Sequence, residues 1–132
     1  SNFLDISKSD FEILQFPSGF SNLTYLIKSN QKEYILRKPP FGAKVKSGHD
    51  MSREYKVLSA LKNNYKKSPT PLHYCNDINI IGSDFYIMER IKGIVLRSNN
   101  FKKILTKKTQ YDFIASDFVN TLVELHKLDI SC

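Results

Sequence analysis

Arg37, Glu54 and the turn Pro17-Ser18-Gly19-Phe20-Ser21-Asn22 are the residues of this chain whose types and order could do chemistry. Arginine is a permanent cation with a planar fork of donors that matches a phosphate or a carboxylate. So long a side chain wanders unless something aims it, and a carboxylate on a neighbouring element, here Glu54, can do so. A tight strand–turn–strand can present backbone N–H groups to phosphate oxygens. Gly19 permits the close approach, and Ser21 and Asn22 can donate from their side chains. Together these types describe a grip for a phosphorylated ligand. Each is weak alone. The turn is also what an ordinary hairpin requires, and Arg37 with Glu54 is also a surface ion pair worth under about 1 kcal/mol.

The elements that must position these groups come from pattern. Gln15 to Arg37 reads as three short strands with two polar turns between them. Phe11 to Gln15 alternates as the first strand. Leu23 to Lys28 is the second, with Leu23, Tyr25 and Ile27 facing one way. Glu33 to Arg37 is the third, with Ile35 and Arg37 on one face and Tyr34 and Leu36 on the other. Pro39-Pro40 ends it, because neither proline can donate to a ladder. After a loop, Asp50 is the N-cap of a helix reaching about Asn64. Met51, Glu54, Leu58 and Leu61 share one of its faces, so a glutamate sits at the front of an apolar stripe. Strands are expected over Leu72–Cys75, Ile78–Ile81 and Phe85–Arg90. A linker covers Ser98 to Thr106. A last helix runs from Lys107 to Leu128 with Thr106 as N-cap, and Tyr111, Ile114, Phe118, Leu122 and Leu125 form its apolar stripe. The order is not the regular alternation of a doubly wound sheet. It predicts an α+β fold, a mostly antiparallel sheet of about five strands with a helix packed on it.

The chain has 132 residues, enough for one domain with a real core. No apolar run approaches the roughly 18 residues that span a bilayer, and the N-terminal residues lack a signal-peptide pattern. Cys75 and Cys132 have no metal or redox spacing, which fits reduced thiols in a cytoplasmic protein. His49, His73 and His126 have no partners at metal spacing. Net charge is +7, which suits either a nucleic-acid binder or a polyphosphate ligand. The lysines fall in scattered pairs, the pattern of a solvated surface.

The segments FPSGFSNLTYLI, YILRKPP, SREYKVLSAL and FYIMERIKG resemble, in order, the N-terminal lobe of the aminoglycoside-phosphotransferase-like small-molecule kinases. The likeness is strongest to the branch attached to some acyl-CoA dehydrogenases, and TLVELHKLD is similar to the first long helix of that family's C-terminal lobe. The resemblance implies a protein-kinase-like N-terminal lobe over 1–93, a linker over 94–106 and the first helix of a truncated C-terminal lobe over 107–132. It implies ATP and Mg²⁺ between the lobes and phosphoryl transfer to a hydroxyl of a small molecule. Carried over by position, Ser18, Gly19, Phe20, Ser21 and Asn22 are the phosphate loop. Arg37 is the phosphate-binding cation and Glu54 its partner. Glu89 to Ile91 is the hinge whose backbone meets adenine, with Met88 near the ring.

The chain departs from the family pattern in two places. The loop has one glycine where protein kinases have three. The family's catalytic loop has an Asp with an Asn five residues on, and a second Asp beyond it. No aspartate here, from Asp5 to Asp129, has that Asn. The general base and the Mg²⁺ ligands are therefore expected outside these residues, and the chain is expected to be inactive alone. The broad stripe of the last helix predicts self-association. Neither nucleic acid nor membrane is an expected partner. The rival readings are a basic nucleic-acid-binding module, stacking bases on Tyr25, Tyr34, Tyr65 and Tyr74, and a degenerate kinase-like regulator.

Overall fold

A computed structural model describes residues 11–17, 22–29, 32–42 and 50–129 of the chain. The backbone divides into two units, Ser1–Ile91 and Lys92–Cys132.

The first unit is built on one five-stranded antiparallel sheet. Its strands are β1 (Phe11–Gln15), β2 (Leu23–Ser29), β3 (Lys32–Lys38), β4 (Pro71–Cys75) and β5 (Phe85–Glu89), in the spatial order β1-β2-β3-β5-β4. Helix α1 (Met51–Leu61) packs against β4 and β5. Register places Thr24 opposite Arg37 and Arg37 opposite Tyr86. It likewise places Leu26, Ile35 and Met88 abreast. Residues directly opposite in an antiparallel pair share a face, so Arg37, Tyr86, Ile35 and Met88 all look the same way. The central strands bury Leu26, Ile27, Ile35, Phe85, Tyr86 and Ile87, and α1 contributes Met51, which is fully buried. Tyr55 of α1 lays its ring 5.6 Å from Tyr74 and 6.3 Å from Tyr86, locking the helix to the sheet.

Asp50 caps α1 as expected, its carboxylate accepting from the Arg53 amide at 2.9 Å. Ile78–Ile81 differs from expectation. It is a four-residue helix, α2, and not a strand. Asp77 caps it, accepting from the Asn79 amide at 2.9 Å. Gly82 closes it in the left-handed region at φ 81°, its amide donating to the Ile78 carbonyl at 2.8 Å. Two good caps override the β preference of three isoleucines over a span too short to show any period.

The second unit holds α3 (Phe101–Ile104), inside the stretch read as linker, and α4 (Lys108–His126). Thr106 is not the N-cap of α4. Lys107 holds that position, and the Gln110 side chain reaches back to accept from the amides of Thr106 and Lys107 at 2.9 and 3.0 Å. Tyr111 anchors the start of α4 by donating to the Leu105 carbonyl at 2.8 Å. The apolar stripe is open. Phe113 is 71% exposed and Phe118 68%, with Val119, Leu122 and Val123 exposed beside them. No helix among the described residues is long and apolar enough to cross a membrane.

Candidate functional site

Glu54 is the centre of the site. Capping at Asp50 fixes where α1 starts, and Glu54 comes one turn later on the face that meets the sheet. Its Oε1 accepts from Asn22 Nδ2 at 2.8 Å and from Arg37 Nη2 at 3.5 Å. Its Oε2 accepts from the Tyr86 hydroxyl at 2.9 Å and lies 3.3 Å from Arg37 Nε. Donors from the residue before β2, the end of β3 and the start of β5 thus converge on one carboxylate. Among the described residues, Glu54 is the hydrogen-bond and ion-pair partner of the Arg37 guanidinium, through Nη2 and Nε. Arg37 and Glu54 are each about 30% exposed and line an open depression of about 350 Å³ with Arg53, Val57, Leu58 and Tyr86.

Lys38, next to Arg37, is the obvious competing cation, and the strand's alternation sends it to the opposite face. There it is buried, its ammonium donating to the Ile81 carbonyl at 2.8 Å and lying 4.5 Å from the centre of the Phe41 ring. Of the two charges ending β3, Arg37 alone is offered at the Glu54 face.

The ion pair is partly solvated, so its Coulomb term is screened. The stronger restraint lies in the two buried neutral donors, because a buried donor that loses its acceptor costs about 1–3 kcal/mol. Burial and the hydrogen bond to Glu54 push the Tyr86 hydroxyl well above its ordinary pKa, against the opposing pull of Arg37. Folding therefore holds this proton more tightly than the unfolded chain does. The stabilisation is intact below the unfolded value of 10 and is lost as pH rises through the folded one. Ellipticity followed against pH should accordingly show the wild type losing stability above pH 10. Tyr86→Phe should lack most of that loss; an unchanged alkaline limb would contradict the assignment. Tyr74, raised by burial and by Asp84, remains in both proteins.

Of the other residues singled out by sequence, Ser18, Gly19, Phe20 and Ser21 lie outside the described residues. Asn22 is buried and its amide is engaged with Glu54. Met88 is half-buried on the Arg37 face. Glu89 is held to Thr70 twice: its amide donates to the Thr70 carbonyl at 3.0 Å, and its carboxylate accepts from the Thr70 amide at 2.9 Å. Arg90 pairs with Glu33 at 2.7 Å, and Ile91 is exposed. These contacts fix the end of β5 and Arg90 through both backbone and side chains.

Tyr86 is the residue that sequence reasoning missed. The signal was present: Tyr86 sits in the most apolar strand, and a buried tyrosine hydroxyl must find a partner. What sequence lacked was the register that sets Tyr86 opposite Arg37. Among the described residues no three His, Cys, Asp or Glu side chains converge as metal ligands.

Residues 12–131 match the model of the APH phosphotransferase enzyme family. The chain belongs to that family. It is 34% identical over 118 residues to human acyl-CoA dehydrogenase family member 11, covering 89% of this chain and 15% of that protein. It is 34% identical over 124 residues to mouse acyl-CoA dehydrogenase family member 10, covering 94% of this chain and 11% of that one. A crystal structure from Ralstonia eutropha, described as that of a candidate aminoglycoside phosphotransferase, superposes with a TM-score of 0.57 at 30% identity. The match covers 73% of this chain and 26% of that one. The chain thus spans a small fraction of the length of these relatives. The five-stranded antiparallel sheet with α1 matches a kinase-like N-terminal lobe, and the Arg37–Glu54 pair lies within it.

Proposed function

We propose that this lobe binds ATP, and that the protein to which it belongs transfers the γ-phosphate to a hydroxyl of a small molecule. The observation that carries the reading is Arg37 held by Glu54, with one edge of its guanidinium still free among the described residues. A fork half engaged by a carboxylate and half free is what recognition of an α,β-diphosphate needs. The 18–22 turn would offer its amides to the same phosphates. Adenine would meet the backbone of Glu89–Ile91, apart from the Glu89 amide that donates to Thr70, with Met88 beside the ring. Met88 shares the Arg37 face, as one ligand spanning both requires. Because the Asn22 amide is turned to Glu54, its part in phosphate binding is to position that carboxylate.

Mg²⁺ bound to the triphosphate would neutralise charge as the phosphoryl group moves. Arg37 fits the anionic end of such a ligand, and the described residues offer the metal no carboxylate cluster. Its ligands and the general base would lie outside the described residues. In this proposal the residues of this chain bind and aim ATP and do not transfer from it.

Thermal unfolding tests the reading. ATP should raise the midpoint of the 132-residue chain and adenosine should raise it less, while no phosphorylated alcohol accumulates. Protection by single-stranded RNA, with none from ATP, would favour the basic-module reading. Turnover by the chain alone would overturn the division of labour. We also expect the open stripe of α4 to drive self-association. Light scattering should show a mass rising with concentration, and a constant monomer mass would count against it.

A further inference from the structure

In sequence terms Glu54 has one task, aiming Arg37, yet the shortest bonds to Glu54 come from elsewhere. Asn22 Nδ2 reaches Oε1 at 2.8 Å and the Tyr86 hydroxyl reaches Oε2 at 2.9 Å. The Arg37 contacts are longer, 3.5 Å from Nη2 and 3.3 Å from Nε. One short bond per carboxylate oxygen, from the residue before β2 and from β5, fixes both the position and the plane of the group. Both donors are buried, at 4% exposure for Asn22 and 2% for Tyr86, whereas the Arg37 side chain as a whole is 31% exposed, its Nε alone being buried. A buried donor cannot turn to water when its acceptor moves, so each enforces the Glu54 rotamer. The cation then adapts to a carboxylate that is already set.

We infer that Tyr86 and Asn22 are positioning residues that clamp Glu54 through its two carboxylate oxygens, so that Arg37 is aimed before any phosphate arrives. Asn22 immediately follows the 18–21 segment, so the same carboxylate anchors the end of the turn and the cation that would share its ligand. The clamp explains why a tyrosine occupies the core of β5, where a purely apolar residue would pack without needing a partner. The inference rests on the proposed ATP reading for its use, and not for its existence.

The test reads Arg37 directly. Nitrogen relaxation of the Arg37 Nε–H group reports how firmly the guanidinium is held on the fast timescale, and it needs no nucleotide. Tyr86→Phe removes one oxygen and keeps the ring; Asn22→Ala removes the other short donor. Both should lower the Nε order parameter clearly while the backbone spectrum is retained. Tyr74→Phe, which deletes a hydroxyl bonded to Asp84 in the same aromatic row, should leave it unchanged. If ATP binds, Tyr86→Phe should weaken it about tenfold and leave adenosine affinity unaltered, the split expected when only the aim of the cation is lost. An unchanged Nε order in both variants overturns the clamp, and a drop in only one overturns its two-sidedness. If Tyr86→Phe does not fold, an unchanged order in Asn22→Ala is sufficient to overturn it. A wild-type chain that binds no ATP would sink the nucleotide reading alone, with the relaxation result still deciding the clamp.

Discussion

Arg37→Ala is expected to weaken ATP binding by about a hundredfold, or roughly 2.7 kcal/mol. The side chain ends on a partly exposed face and its loss removes no core packing, so the thermal midpoint of the free protein should move little. Deletion leaves Glu54 with its two buried donors, and α1 stays docked. Calorimetric titration of wild type and variant with ATP and with adenosine separates the effects. Adenosine affinity should be unchanged, because the base and ribose do not reach the guanidinium in the proposed pose. Arg37→Lys should fall between, at about a tenfold loss, since an ammonium keeps the charge but cannot serve carboxylate and phosphate from two edges. Equal losses for ATP and adenosine would mean that Arg37 supports the lobe and does not select phosphates.

Glu54→Leu should cost stability as well as ATP affinity. It removes the acceptor that the Tyr86 hydroxyl and the Asn22 side-chain amide share, both donors being buried, at a cost of about 2 kcal/mol in total. The lobe is small, so that corresponds to a fall of about 10 °C in the thermal midpoint. Glu54→Gln should recover much of the stability, because its amide oxygen still accepts one short bond. It should not recover ATP affinity, because a neutral amide no longer holds the cation by charge. Scanning calorimetry with nucleotide titration checks both. A Leu variant as stable as wild type would show that the three-donor convergence contributes nothing to the fold.

Much of this arrangement is legible in sequence because its parts are local. The strand ending in Arg37 is read from alternation and the Pro39-Pro40 stop. The place of Glu54 on the docking face of α1 is read from helical spacing after the Asp50 cap. Strand pairing is not local, and what escapes a reading of the sequence depends on it. Register sets Tyr86 opposite Arg37, and nothing in the run FYIMER says which of its residues will face the helix. Asn22 is a similar case. Its residue type suits a phosphate donor, and its burial against Glu54 becomes visible only once α1 is laid on the sheet. Ile78–Ile81 reads as a strand because three isoleucines in four residues carry a β preference stronger than any periodicity, while its caps, Asp77 and Gly82, look equally like turn residues. At Thr106 the helix starts one residue later than read, with Lys107 as N-cap, and the Gln110 side chain accepts from the amides of both residues ahead of the helix.

The central claim is that one face of this sheet grips a triphosphate through Arg37. Titrating the isotopically labelled chain with ATP, while following the Arg37 Nε resonance and the amides of Asn22 and Ile91, tests it most directly. Saturable shifts are predicted at all three, with the Arg37 response absent when adenosine replaces ATP. Shifts confined to the surface lysine pairs, or an Arg37 resonance indifferent to ATP, would contradict it.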